Sequence, residues 1–375
     1  MARSGFEQLK KQTYFRIMDY WLFVPIVVIS LIGLFVLSKV LSDGFGDAYP
    51  TNLYRQVGAV LAGILIALVL SVVEAPTMRL LAWGVYAASI VLLIYVLVDD
   101  FTMIDQWGAD SWLNLPYIGS FQPSELAKIG LAMSSACVFE WMGARQRYWQ
   151  GSLILLVLYA LPLLLIMKQP DFGTAMVLVF MFVCMVFAWG IRWRYVLLGL
   201  SGLVVLVPLA WFFYFDDFQK NRILTFLYPG HDPAASYNLM QARLAIASGG
   251  LAGSTRDIPV HVPVKESDFI YTAVSEHMGF IGTTALLILV FFFLARTLYV
   301  ASKVHTHHPA SALTMVGLSA GMAFLFIENL GMCVGLLPIT GIPLPFVSLG
   351  GTAMIVNFFA LGVMLSISMD RNVNA

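Results

Sequence analysis

Charged residues are scarce in this chain of 375 residues, because only 11% are Asp, Glu, Lys or Arg while 60% are hydrophobic. Soluble domains carry roughly 25% charged residues, so the composition excludes an ordinary soluble domain. Neither sign of charge is in excess, since 21 Lys and Arg residues balance 21 Asp and Glu residues, which argues against a basic nucleic-acid-binding protein. The three cysteines lie far apart in apolar runs, which argues against a disulfide framework or a cysteine-based metal cluster.

What the chain has in abundance is apolar runs long enough to cross a bilayer, which takes about 20 residues in an α-helix. These runs predict an all-α polytopic membrane protein, formed by one integral membrane domain over residues 1–375 with about ten transmembrane helices. The predicted spans cover residues 21–41, 57–73, 79–98, 124–142, 152–167, 172–190, 194–215, 270–299, 310–337 and 350–368.

The loops between the spans differ in charge. With the amino terminus in the cytoplasm, the positive-inside rule places most loop Lys and Arg residues there, and an even number of spans returns the carboxyl terminus to the same side. Most carboxylates then lie outside. The largest loop, residues 216–269, is also outside, and we predict in it a short amphipathic helix over residues 236–248, with Ser236 as N-cap and Gly249 and Gly250 as its stop.

Several ionisable residues lie within or beside the predicted spans, where a charge at the bilayer centre costs about 2.5–3.5 kcal/mol unless it faces a cavity or a partner. Glu125 and Lys128 are three residues apart and share a helix face, and Lys168 and Asp171 have the same separation. One interpretation is that both pairs are structural ion pairs that lock helices together; the other is that they belong to a functional site. The full set is Glu125, Lys128, Lys168, Asp171, Glu276 and Glu328.

Two short segments have similar sequences, Gln122-Pro123-Ser124-Glu125 and Gln169-Pro170-Asp171. Each is predicted to begin a helix on the outer side, with its proline near the first helical position. A helix N-terminus attracts anions, and a lysine, Lys128 or Lys168, is close to each segment. Two such helix starts that open outward could hold a phosphate or pyrophosphate. Alternatively, they are two ordinary helix starts with acidic first turns.

Residues 338–352 contain three prolines and three glycines, which is incompatible with a regular helix. Irregular backbone at membrane depth is tolerated only where it is buried in protein or lines a cavity. We therefore predict a re-entrant turn that leads into the last span, with a simple loop as the alternative.

The chain carries a series of short motifs: Tyr54-Arg55-Gln56, Phe121–Lys128, Lys168–Thr174, Arg222, Asp232-Pro233, Tyr237, Gln241, Ser248–Leu251, Ser267–Tyr271, Glu276, Gly279–Gly282, Leu344–Thr352 and Asn357. In this order and topological register, they resemble the SEDS family (shape, elongation, division and sporulation), which are polytopic peptidoglycan polymerases. The resemblance covers nearly the whole chain. Within the family, the length and the start Asp19-Tyr-Trp-Leu22 resemble the elongation (RodA) type more than the division (FtsW) type.

Four positions depart from the family pattern and indicate a divergent member. Ser111 occupies a position where arginine is common, and Val264 lies where the family often has a glutamate. His277 replaces a second acid, and Leu349 replaces a tyrosine in the last motif.

The resemblance implies a glycosyltransferase that polymerises lipid II, a disaccharide-pentapeptide on undecaprenyl pyrophosphate, in cell-wall elongation and cell-shape control. It implies Asp268 as the catalytic base, which would activate the acceptor hydroxyl for attack on C1 of MurNAc while undecaprenyl pyrophosphate leaves. The implied substrate-binding and pyrophosphate-binding residues are Arg222, Lys128, Lys168, Arg243, Glu125, Asp171, Trp112, Gln241 and Ser348.

The resemblance also implies a class B penicillin-binding protein, a transpeptidase, as partner. It implies a location in the bacterial cytoplasmic membrane with both termini in the cytoplasm and the active site outside. No carboxylate cage for a resident metal is visible, so no cofactor is predicted, although Mg²⁺ or Mn²⁺ could assist the pyrophosphate. The alternatives are a flippase of lipid-linked sugars, a division-type or sporulation-type polymerase, and a catalytically weak scaffold.

Overall fold

The long apolar runs fold into long helices, because in lipid every backbone N–H and C=O must be hydrogen-bonded within the chain. The computed structural model describes residues 18–44, 49–98, 103–106, 109–115, 119–191, 197, 201–202, 204, 208–209, 211–213, 217–228, 231–255 and 259–374. In chain order the elements are α1 (Tyr20–Gly44), α2 (Tyr49–Ser71), α3 (Ala75–Val98), β1 (Met103–Gln106), β2 (Ala109–Leu115), β3 (Gly119–Phe121), α4 (Pro123–Arg145), α5 (Tyr148–Lys168), α6 (Phe172–Trp189), α7 (Asp217–Leu227), α8 (Pro233–Ser248), α9 (Ile270–Val304), α10 (Pro309–Val334) and α11 (Gly351–Asn374).

Eight of the described helices are long and apolar enough to cross a membrane, namely α1, α2, α3, α5, α6, α9, α10 and α11. They confirm the predicted all-α membrane class. The predicted span 124–142 also forms a helix, α4, which is less apolar and largely buried among its neighbours. The predicted span 194–215 lies mostly outside the described residues, so the number of ten spans stays a prediction.

Helices α10 and α11 form the centre of the bundle. In their apolar windows 72% and 78% of residues are buried, against 28% for α2 and for α3, which therefore present most of their surface outward. Small residues let α11 approach α2 closely, as is common between membrane helices. A Cβ on Gly362 would lie 2.9 Å from Cα of Ala67, and one on Gly63 would lie 2.5 Å from Cδ2 of Phe358.

A small antiparallel sheet, in the order β1-β2-β3, occupies the loop between α3 and α4, where no strand was predicted. Its register pairs Leu113 with Phe121. Strand β3 leads directly into Gln122, the N-cap of α4. The backbone oxygen of Ser120 accepts a hydrogen bond from Oγ1 of Thr352 in α11. The sheet therefore joins the start of α4 to the start of α11.

The large loop contains two described helices, α7 and α8, rather than the single predicted helix. Helix α8 begins at Pro233, so the prediction of Ser236 as N-cap is wrong. Proline suits the first helical position because its missing N–H has no partner there, and the N–H of Ser236 already donates to Asp232 O at 3.0 Å. The predicted stop at Gly249 and Gly250 is confirmed, since the helix ends at Ser248.

Helix α9 is broken at Gly279, which has φ 63° and ψ −161°. The chain that follows α8 fills the break, because the N–H groups of Phe280 and Ile281 donate to the carbonyls of Gly250 and Leu251 at 2.9 and 3.0 Å. A side chain at position 279 would overlap this segment. The large loop is thereby docked on the first part of α9, next to the site described below.

Candidate active site

Asp268 lies in a tight turn, residues 264–269, immediately before α9. The N–H groups of Ser267 and Phe269 both donate to the carbonyl of Val264, at 3.3 Å each. Val264 has φ 54°, a left-handed conformation that is unusual for a β-branched residue. Oγ of Ser267 donates to Oδ1 of Asp268 at 2.9 Å, which orients the half-buried carboxylate.

Helix α10 holds this turn through a buried amide. Nδ2 of Asn329 donates to the carbonyl of Asp268 at 2.7 Å and to the carbonyl of Ile342 at 2.8 Å. Asn329 is fully buried, so these bonds are shielded from water. One side chain thus joins the Asp268 turn to the irregular segment before α11.

That irregular segment lies directly before α11, and its residues 344–348 are buried against the bundle. The backbone is non-helical as predicted, and its re-entry into the membrane stays a prediction. Oγ of Ser348 accepts from the N–H of Leu344 at 2.8 Å and donates to the carbonyl of Ser267 at 2.6 Å. Gln56 of α2 holds the segment from the other side. Its Nε2 donates to the carbonyl of Ser348 at 3.0 Å, and its Oε1 accepts from the N–H of Gly350 at 3.1 Å. Ser348 therefore supports the turn that carries Asp268.

Arg222 of α7 is hydrogen-bonded to the irregular segment and lies within electrostatic reach of two acids of the site. Its Nη1 donates to the carbonyl of Thr340 at 3.1 Å, and Oγ1 of Thr340 donates to Oε1 of Glu328 at 3.0 Å. The guanidinium acts electrostatically on both Asp171 and Asp268. Segments that are remote in sequence are thus brought together around one positive charge.

Asp171 is the N-cap of α6, where its Oδ1 accepts from the N–H of Thr174 at 3.0 Å. Its Oδ2 accepts from Nε2 of Gln122, the N-cap of α4, at 2.7 Å. The two similar segments therefore meet side by side. Pro123 begins α4 as predicted, whereas Pro170 lies outside α6, one residue before the cap.

Glu125 and Lys128 form an ion pair with 2.7 Å between Oε1 and Nζ, and both residues are only 7% exposed. The ion pair of the first interpretation therefore forms, but both residues lie on α4, so it does not lock two helices together. The two charges act on Asp171 in opposite directions, so the pair adds little net charge to the site.

Lys168 and Asp171 do not form the ion pair of the first interpretation. Lys168 is exposed at the last turn of α5, and its side chain has no partner among the described residues, because Asp171 bonds to Gln122 instead. Arg243 is exposed on α8 and its Nε donates to Val334 O at 3.2 Å, where a cation suits the C-terminus of α10. In the described part of the chain, neither cation bonds to the residues around Asp268.

Trp112 and Gln241 are both half-buried. Trp112 lies in β2 opposite Ile104, and Gln241 lies on α8. Their roles in substrate binding stay predictions.

Burial raises the pKa of Asp268 to about 6, and the Glu266 carboxylate adds to this, while the Ser267 hydroxyl and the Arg222 guanidinium oppose it. Burial also raises the pKa of Asp171, against its bonds to Thr174. Burial lowers the pKa of Arg222, and the two aspartates oppose that shift. A carboxyl group with a pKa close to neutral is suited to exchange protons at physiological pH.

Three residues that hold the site together, Gln122, Asn329 and Thr340, are not among the site residues predicted from the sequence. Gln122 opens a motif whose proline, acid and nearby lysine carried the prediction. Asn329 is a polar amide in an apolar span, which was a usable signal, because polar groups inside membranes are usually bonded or functional. Thr340 lies in an irregular segment, and no spacing rule connects it to Arg222.

The arrangement can remove a proton and stabilise a departing anion, because a carboxylate with a raised pKa lies near a guanidinium at one end of a bundle of apolar helices. The fold and site thus define an integral membrane protein that carries a half-buried carboxyl group and a guanidinium near the ends of its helices. The family described as "Cell cycle protein", which comprises FtsW, RodA and SpoVE, matches residues 16–373. The chain belongs to this family.

Relatives of this chain carry the names of enzymes. Peptidoglycan glycosyltransferase MrdB of Escherichia coli K12 is 31% identical over 354 residues, which cover 92% of this chain and 94% of that protein. A probable peptidoglycan glycosyltransferase FtsW of Geobacter sulfurreducens is 32% identical over 269 residues, or 70% of each chain.

Solved structures agree with the fold. A chain from a peptidoglycan synthase complex that coordinates polymerization and crosslinking has a TM-score of 0.77 at 30% identity, over 94% of this chain and 98% of that one. The rod shape determining protein RodA of Thermus thermophilus has a TM-score of 0.68 at 29% identity, over 94% and 97%. Within the family, the chain is RodA-like rather than FtsW-like.

Proposed function

We propose that this chain polymerises lipid II and that Asp268 is the base of the reaction. The chain is a peptidoglycan glycosyltransferase of the elongation type, in keeping with its family and its relatives. The observation that carries the base assignment is the combination of a raised pKa, about 6, with a turn that is fastened by Ser348 and Asn329. At pH 7 most Asp268 carboxylates are ionised and able to accept a proton.

The proposed step is an inverting displacement. The Asp268 carboxylate takes the proton from the acceptor hydroxyl of a GlcNAc unit as that oxygen attacks C1 of a MurNAc unit. The new C1–O bond forms while the bond from C1 to the pyrophosphate oxygen breaks, and the bonding electrons leave with undecaprenyl pyrophosphate. The products are a β-1,4 linkage, the pyrophosphate anion and a protonated Asp268.

The leaving pyrophosphate gathers negative charge, which fixed positive charge stabilises in the transition state. Arg222 is our first candidate, because it already acts on both Asp171 and Asp268. Lys128 is the second, although Glu125 compensates its charge in the structure. Lys168 and Arg243 are weaker candidates, since Lys168 has no bonded partner in the described chain and Arg243 caps α10.

A divalent cation remains part of the proposal. The described residues contain no group of three or more His, Cys, Asp or Glu side chains with metal-ligand spacing. In our proposal a Mg²⁺ or Mn²⁺ ion would therefore be held mainly by the substrate pyrophosphate, which a polymerisation assay with EDTA tests.

The proposed orientation places both termini in the cytoplasm and Asp268 outside, because the loops at the opposite end of the helices are richer in Lys and Arg. We also propose a class B penicillin-binding protein as partner. This proposal is supported by the similar chain that belongs to a synthase complex which coordinates polymerization and crosslinking.

The test is polymerisation of purified lipid II by the full chain in proteoliposomes, with and without its cognate transpeptidase. The wild type should form glycan polymer, and Asp268→Asn should lower the rate by at least about 10²-fold, because it removes the base. Glu266→Gln is the matched control, since it removes a neighbouring carboxylate of the same turn and should stay active.

Two results would contradict the proposal. Polymer formation by Asp268→Asn at the wild-type rate, with the partner present, would remove Asp268 from the mechanism. Transbilayer movement of fluorescent lipid II by a chain that makes no polymer would favour the flippase alternative.

A further inference from the structure

A buried pair of opposite charges lies next to the turn that carries Asp268. Nζ of Lys265 forms an ion pair with Oε2 of Glu276, and the two side chains are only 10% and 1% exposed. Nζ of Lys265 also donates to the carbonyl of Val260 at 3.1 Å, and Oε1 of Glu276 accepts from the N–H of Val260 at 2.7 Å. The three residues close a ring of hydrogen bonds in which both buried charges are compensated.

This ring fastens the start of the turn to the helix that follows it. Lys265 comes directly after Val264, whose carbonyl accepts both backbone bonds of the turn. The left-handed backbone of Val264 costs energy and persists only where its surroundings impose it. Glu276 lies in the first part of α9, before the break at Gly279, so its position is set by the regular backbone of this helix.

The same helical turn also holds the other end of the docked loop. The carbonyl of Glu276 accepts a hydrogen bond from the N–H of Ser254 at 2.6 Å. Its side chain binds Val260 and Lys265, as described above. Backbone and side chain of one residue thus restrain the loop at two places shortly before Asp268.

We propose that Lys265 and Glu276 are positioning residues, whose charge pair holds the Asp268 turn in the conformation that takes the substrate proton. The proposal rests on the proposed role of Asp268 as base. Glu276 acts through the backbone, because both its oxygens are bonded and its side chain is almost wholly buried. Neither residue touches the reacting atoms in this scheme.

The test compares kcat and KM for lipid II polymerisation by the full chain. Lys265→Met and Glu276→Gln should each lower kcat about 10- to 100-fold, because a base misplaced by about 1 Å loses this much, while KM changes less than about threefold. The double variant should be no slower than the slower single variant, since the two residues act as one unit. Lys265→Arg keeps the charge and should restore most of the activity.

Unfolding temperatures of the double variant and of a control variant show whether a lower kcat comes from lost stability or from lost positioning of Asp268. The double variant contains no unpaired buried charge, so it should unfold near the wild-type temperature and still show the lower kcat. Arg296→Met is the control, because it breaks a buried ion pair with Asp19 far from this turn. It should lower the unfolding temperature while leaving kcat per folded molecule within about twofold of wild type.

The outcomes are distinct. A double variant with wild-type kcat would overturn the proposal, as would additive effects of the single variants. An inactive Glu276→Gln beside a fully active Lys265→Met would mean that Glu276 acts by itself. If Asp268→Asn is inactive while the pair variants keep their kcat, only the positioning proposal fails; an active Asp268→Asn removes the base assignment instead.

Discussion

The carboxylate of Asp268 is only half-buried, yet its surroundings hold its pKa near 6. Two neighbouring charges act on it in opposite directions, Glu266 upward and Arg222 downward. The thiol of Cys333 lies 4.0 Å from the backbone carbonyl oxygen of Asp268. The chemistry at this residue therefore depends on a balance between burial and two nearby charges.

The pH dependence of polymerisation should report this balance. A base works only when it is deprotonated, so kcat/KM should fall about tenfold per pH unit below the Asp268 pKa of about 6. Glu266→Gln should move this acidic limb to lower pH, because it removes the charge that raises the pKa. The measurement is a pH–rate profile of the wild type and the variant; an unchanged limb would contradict the assignment.

The stability of Asp268→Asn should provide an independent check. The folded pKa lies above the unfolded value of 3.8, so the folded state binds a proton more tightly and stability declines as pH rises through the window from about 4 to 6. At pH 7 the ionised carboxylate therefore opposes folding. Thermal unfolding in detergent should show Asp268→Asn to be at least as stable as the wild type at this pH.

Single residues of the site could be predicted only where they belong to a family motif or follow helical spacing. Asp268 and Ser348 were found through their segments, and the Glu125–Lys128 pair was found through helical spacing. Asn329 and Thr340 were missed, because their importance lies in which carbonyl or side chain they meet across the fold. No local pattern encodes such long-range hydrogen bonds.

At the scale of elements, the long helices were predictable because about 20 apolar residues in a row have few alternatives in a membrane. The short strands β1, β2 and β3 were missed, since they span only 4, 7 and 3 residues. The start of α8 was placed too late because Ser236 resembled a cap, whereas Asp232-Pro233 forms the actual start.

The contact between α2 and α11 should depend on its glycines. Gly362→Ala should lower the free energy of unfolding by about 1–3 kcal/mol, because its Cβ would lie 2.9 Å from Cα of Ala67. Gly84→Ala in α3 is the matched control, since nothing lies within 4 Å of its added Cβ. Thermal unfolding of both variants checks this, and equal stability would show that α2 and α11 separate easily.

At the scale of the whole molecule, the equal numbers of 21 positive and 21 negative residues conceal two different ends. One end holds Asp171, Arg222 and Asp268. The other ties the beginning of the described chain to its end, because Asp19 binds Nη2 of Arg296 at 2.9 Å and accepts from Oγ of Ser368 at 2.6 Å. The side chain of Asp19 is completely buried there.

Asp19→Ala should destabilise the whole bundle. The substitution removes the carboxylate to which Arg296 and Ser368 donate, and it leaves the largely buried Arg296 charge without this compensation. Breaking a buried ion pair in this way typically lowers the free energy of unfolding by about 3–5 kcal/mol. The double variant Asp19→Ala/Arg296→Met should recover much of this loss, because no unpaired charge remains. Unfolding temperatures of the two variants in detergent check the prediction, and a stable single variant would contradict it.

The class of fold, the motifs and the candidate base could be predicted from the sequence, because apolar length and motif order are local properties of a chain. Which charges meet depends on how the chain folds. Lys168 and Arg243 looked equivalent to Arg222 in sequence, yet only Arg222 acts on Asp268 in the described structure. The reason is physical: electrostatic interactions depend on distance in space and on burial, and both are set by how the helices pack.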